Sequence, residues 1–143
     1  MNRLSHCVFA LSITAFLPIA ASMAAAGEAS EAAADFRAYC APCHGVEGRG
    51  DGPVAVVLKT VPSALTLIGR RYDGTFPTET IYARVEGLDM PAAHGSSEMP
   101  VWGLLFTNQA VGESILLDDA RTAAEKVRKR IRAIVTYIET IQE

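Results

Sequence analysis

The 143-residue sequence has no internal repeat and no stretch of alternating apolar and polar residues that would mark a strand. It also lacks a charge imbalance. A formal net charge of −3, with half the residues apolar, excludes a disordered chain and leaves no footprint for nucleic acid or a strongly polarised partner. The length suits one domain around one core. Cysteine is scarce, with three in the whole chain, too few for the disulfide framework of a small secreted domain.

No apolar run reaches the about 20 residues that a membrane-spanning helix needs. The N-terminus, "MNRLSHCVFALSITAFLPIAASMAAAG", instead places Arg3 before an apolar run over residues 7–19, broken by Ser12, Thr14 and Pro18, and then an A-x-A pattern. That is the layout of a secretory signal peptide. Cleavage is expected after Ala26, with Ala24 the alternative, which makes residues 1–26 a signal peptide and 27–143 a single exported, periplasmic domain that does not span the membrane once processed. Cys7, at the start of the run, is badly placed for lipid attachment and leaves with the peptide. The remaining chain has 12 basic and 16 acidic residues and two cysteines, Cys40 and Cys43. In an oxidising compartment an unmodified close pair of this kind tends to become a disulfide, yet one short bridge would hold little together.

The pattern is helical. Ser30 before "EAAADFRAYC" reads as an N-cap with Glu31 in the first turn, and Pro42 is expected to end regular helix near Ala41. The glycine-rich stretch over residues 45–53, "GVEGRGDGP", is a tight loop and not a phosphate loop, since no Lys-Ser or Lys-Thr follows it and no strand precedes it. Residues 54–58 suggest a turn or two of helix, and "TVPSALTLIGRRYDG" reads as mostly loop. Thr78 is expected to cap "ETIYARVEG", with Ile81 and Val85 inward and Gly87 as its stop. The segment "LDMPAAHGSSEMPVWG" has a binding loop's composition. From about Asp119 onward Val127, Ile131, Ile134, Val135, Ile138 and Ile141 recur at helical spacing. Arg121, Lys126, Arg128, Lys129, Arg130 and Arg132 would form that helix's solvated face.

"CAPCHG", residues 40–45, carries the chemistry. A structural zinc needs four ligands; Cys40, Cys43, His44 and His94 are the most available, and adjacent Cys43 and His44 reach one tetrahedral ion only through a strained turn. A thioredoxin-type site wants βαβ surroundings, which the helical pattern does not supply. C-x-x-C-H is the haem attachment sequence. Two thiols at i and i+3 can each add across a vinyl group on one porphyrin edge, while the neighbouring imidazole turns to the iron; the resulting thioethers cannot form a disulfide. The second ring nitrogen of His44 should be held by a carbonyl. Pro53 is the favoured acceptor and Pro62 the competitor. For the opposite face of the iron, Met99, Met90 and His94 are the choices, a soft thioether suiting an iron that cycles between two states.

With Phe36 four residues before Cys40, the "GDGP" loop, the "HGSSEMPVWG" loop and a closing helix bearing Tyr137, the sequence resembles the class I c-type cytochromes, particularly the small exported bacterial ones. The resemblance implies an all-α cytochrome c fold wrapped around one covalent haem c. It implies attachment at Cys40 and Cys43, axial iron ligands His44 and Met99, with Pro53 and Trp102 in the haem surroundings. It also implies a crossing of first and last helices at Ala32, Phe36, Ile134 and Tyr137. The function it implies is single-electron transfer between redox protein partners, with no catalysis. Two alternatives stand beside it: an open-site haem protein, enzymatic or gas-binding, and a cytochrome subunit docked on a dehydrogenase or oxidase. The stretch over residues 107–117 has no counterpart in the family pattern and is expected to serve a partner-binding surface.

Overall fold

The C-terminal helix α6 (Ala120–Thr140) is the spine of the molecule. Val127, Ile131, Ile134, Val135 and Ile138 repeat at helical spacing along it and are all buried, so this stripe is the face that excludes water. The N-terminal helix α1 (Ile19–Asp35), the helix α4 (Thr78–Glu86) and the helix α5 (Trp102–Glu113) all pack on α6. The computed structural model describes residues 19–87, 99–113 and 120–143, and every regular element among the described residues is helical. The apolar run before Ile19, the residues Met90 and His94, residues 114–117 and Asp119 lie outside the described residues. No described helix is long and apolar enough to cross a membrane.

α1 meets α6 at the expected small and aromatic residues. Ala32, Phe36 and Ile134 are buried, the last two in one core cluster, and the rings of Phe36 and Tyr137 lie 5.1 Å apart at 50°. A tilted pair at this distance adds to the area that Phe36 removes from water. Phe36→Ala should therefore cost about 3 kcal/mol, read as a lowered denaturation midpoint, because the wall of helix around it can collapse only partly. An unchanged midpoint would place the stabilising crossing elsewhere.

The beginning of the chain departs from expectation in two ways. Ser30 lies inside α1 and does not cap it; Ala26, the expected cleavage point, also falls within that helix. Nor does Pro42 end the helical path. Residues Phe36–Cys40 form one π turn, with the Ala41 N–H donating to the Phe36 carbonyl, and a short helix α2 (Ala41–His44) follows. The wide turn shifts the hydrogen-bond ladder so that Pro42 falls in the first turn of α2, where no N–H is needed.

Beyond the glycine loop, residues Ala55–Val57 make a 3₁₀ turn, as the short apolar stretch suggested. The following segment is more ordered than a loop: a 3₁₀ turn at Leu65–Leu67 leads into α3 (Ile68–Arg71), with Thr66 and Ile68 buried. α4 has Ile81, Tyr82 and Val85 on its inner side and Gly87 at its stop with φ 92°, in the left-handed region. Its N-cap is Pro77 and not Thr78, which is already helical; the Ile81 N–H donates to the Pro77 carbonyl without any side-chain cap.

α5 is the element that sequence reading missed. Its apolar residues are scattered around the helix, with Phe106 and Ala110 buried but Leu104 and Val111 exposed at 61% and 52%, so no clear stripe shows. What docks it is aromatic and polar. Trp102 and Phe106 pack on Tyr39 at 5.6 and 5.4 Å, and Gln109 donates to the Tyr39 hydroxyl at 3.2 Å. Arg130 completes the joint and leaves the expected solvated face. Its guanidinium donates to both oxygens of Asp35 at 2.6 and 2.7 Å and to Gln109 Oε1 at 2.7 Å, and lies 4.1 Å from the centre of the Phe106 ring. The other five basic residues of that set are exposed as expected.

Candidate functional site

The cysteine motif occupies the last turn of the α1–α2 path. Cys40 ends the π turn and is buried; Cys43 and His44, in α2, are half-buried. Both cysteines are free thiols. They differ in setting, because the Cys40 side chain faces the core cluster that includes Phe36. Burial, then the nearby charge of Asp35, then Cys43 push the Cys40 thiol up to about 12. It is therefore held as a neutral thiol at ordinary pH in this conformation.

The glycine loop exists to finish this helix end. An α-helix leaves its last four carbonyls without partners. Here the Ala41 carbonyl accepts from the Gly45 N–H at 2.9 Å, and those of Pro42, Cys43 and His44 accept from Val54, Gly52 and Gly50 at 2.9, 3.1 and 2.7 Å. Three alternate amides, those of Gly50, Gly52 and Val54, thus each close one carbonyl of the motif. Gly45 makes the reversal at φ 81°, where a side chain would be strained. Gly52 allows the close approach: a Cβ there would meet the Ala41 carbonyl oxygen at 2.6 Å and the Pro42 oxygen closer still. Gly52→Ala should accordingly destabilise the fold by about 2 kcal/mol, since backbone must shift, and a thermal melt reads it. A wild-type melt from Gly52→Ala would show that the loop does not hold the motif.

His44 Nδ1 donates to the carbonyl of Ser63 at 2.9 Å. This corrects the expectation for Pro53, whose carbonyl is not the acceptor; Pro53 is exposed on the loop. Pro62, the competitor, immediately precedes the true acceptor. The bond leaves Nε2 as the lone-pair nitrogen. Burial lowers the histidine's pKa, with the Ser63 carbonyl opposing, so the net push is toward neutral imidazole. That is the form that ligates a metal.

Met99 is half-buried and packs against the core cluster, at the approach to α5. Trp102 opens α5 and belongs to the aromatic group with Tyr39, the residue before Cys40. The structure thus brings Cys40, Cys43 and His44 together on one turn and joins Trp102 to that turn through Tyr39. Among the described residues, no three His, Cys, Asp or Glu side chains are gathered as a metal ion would require. The residues that sequence reasoning did not single out are Ser63, whose contribution is a backbone carbonyl and carries no residue signature, and Asp35, whose charge reaches Cys40.

Exposed apolar side chains border the motif. Val46 and Val54 flank its capping loop, and Val56, Val57 and Val61 follow, the last three each more than three-quarters exposed. No protein-family model, curated protein or solved structure matches the chain significantly.

Proposed function

We propose that the chain is a mono-haem c-type cytochrome of the cytochrome c fold, exported to the periplasm, and that it carries single electrons between redox protein partners. The observation that carries this reading is the donor set at the end of α2. Two free thiols three residues apart adjoin an imidazole whose Nδ1 is taken by the Ser63 carbonyl at 2.9 Å. The residues present fit the group. Cys40 and Cys43 would tether haem c, and His44 Nε2 would meet the iron, its ring held by Ser63. Met99 would supply the second protein ligand to the iron, and Trp102 with Pro53 would line the haem. Haem supplies the one-electron chemistry when bound, and the chain's own part is attachment, ligation and exclusion of water.

The remaining features support the same reading. The loop amides that close the α2 carbonyls stiffen the turn that must present three groups to one cofactor. The exposed valines beside it are surface of the kind that contact with a flat apolar group or a partner covers. The role proposed for this arrangement is that of a carrier and not of an enzyme, the two thiols serving attachment.

Purified protein, denatured and weighed by mass spectrometry, is expected to exceed the mass of its polypeptide by one haem. Release of all haem into acid-acetone would overturn the proposal. Tight carbon monoxide binding by the reduced wild type would replace the carrier with an open-site haem protein.

A further inference from the structure

The carbonyl that holds His44 belongs to a strap, residues 62–65, and the far end of the chain reaches back to secure that strap. Gln142, the penultimate residue, uses all of its amide hydrogens. Its Nε2 donates to the Leu65 carbonyl at 2.9 Å and to the Ile138 carbonyl at 2.8 Å, and its Oε1 accepts from the Gly69 N–H at 2.8 Å. One side chain therefore fastens the 3₁₀ turn after Ser63 to the last turns of α6. Arg71 holds the intervening carbonyl, that of Ala64, at 2.9 Å, and the Leu65 N–H donates to the Gly48 carbonyl at 2.6 Å. The strap is thus fixed at the two residues that follow the Ser63 carbonyl, Ala64 and Leu65.

We infer that Gln142 is a positioning residue for His44: by fixing the Leu65 carbonyl it sets where the Ser63 carbonyl stands, and so how strongly that carbonyl accepts the Nδ1 proton. The functional meaning rests on the haem reading above. A firm Nδ1–H···O=C bond makes an imidazole a better electron donor through Nε2, which favours the oxidised iron. Slackening the strap weakens that bond and raises the reduction potential. The hydrogen-bond partners of the Gln142 side chain are Gly69, Leu65 and Ile138 and not His44, so it acts through the backbone between Leu65 and Ser63.

The experiment compares wild type with Gln142→Ala, Gln142→Glu and Thr140→Ala. Gln142→Glu keeps an acceptor for Gly69 but loses the donor to Leu65. Thr140→Ala removes a bond at the same helix end, from Thr140 to the Tyr137 carbonyl, that does not involve the strap. The readouts are solvent exchange of the His44 Nδ1 proton, followed by nitrogen-15 NMR on the purified protein, and the midpoint potential. Both Gln142 variants should show exchange about tenfold faster than wild type, the factor expected from one hydrogen bond, and a raised potential, while Thr140→Ala matches wild type. A Gln142→Ala protein that melts earlier yet keeps wild-type exchange and potential would overturn the inference and leave Gln142 a structural clasp. Exchange is measurable with or without haem, so a haem-free wild type would defeat the proposed function while the exchange comparison still decided the positioning role.

Discussion

The protein carrying both Cys40→Ser and Cys43→Ser is expected to keep no covalent haem, and each single variant, like His44→Ala, to mature poorly. The reason is spatial. All three groups stand on one turn whose carbonyls are closed by the glycine loop, and the described residues contain no other cysteine or histidine. The two single cysteine variants should also differ from each other. Cys40 is 8% exposed within the hydrophobic core, so a serine there buries a hydroxyl at a cost of about 1–3 kcal/mol unless it finds a partner. Cys43 is half-buried and escapes that penalty. Cys40→Ser should thus lose both haem and stability, and Cys43→Ser mainly haem. Mass of the denatured protein and a thermal melt separate the two effects. Full haem content in the double variant would end the covalent reading.

Replacing Met99 by leucine is expected to abolish the weak far-red band of the ferric protein, lower the reduction potential and admit carbon monoxide to the reduced form. Leucine is the informative choice because it conserves volume and removes only the thioether sulfur. Met99 packs against the core cluster, so alanine would confuse a lost ligand with lost packing. The direction of the potential follows from methionine and histidine together raising it relative to other ligand sets. Met90→Leu, nine positions earlier in the sequence and likewise followed by proline, should change none of the three. The reverse pattern would move the ligand to Met90, and silence from both would make His94 the residue to test.

Reading the sequence located the parts whose signal is local. The stripe of Val127, Ile131, Ile134, Val135 and Ile138 announced α6, because a face that excludes water must repeat at the helical period. Gly87 announced the end of α4, since φ 92° is open to glycine at little cost. The all-helical character was legible for the same reason. Where the reading erred, a local rule met a longer-range solution. Pro42 forbids one hydrogen bond, and the π turn before it removed the need for that bond. Arg130 looked like another solvated cation until Asp35, 95 positions away, and Phe106 were brought to it.

Residue identity alone determined the chemistry on offer: two thiols at i and i+3, an imidazole beside the second, and glycines free to close around them. The partner of that imidazole was settled in three dimensions. Any residue can present a carbonyl, so Ser63 has no mark in the sequence, and its contact with His44, 19 positions back, forms beside a strap tied to Gly48, Arg71 and the penultimate glutamine. The same holds for α5, whose apolar residues follow no single face. Its place comes from Tyr39, Phe106 and Arg130 meeting across three helices, and contacts between residues distant in the chain leave no periodicity behind.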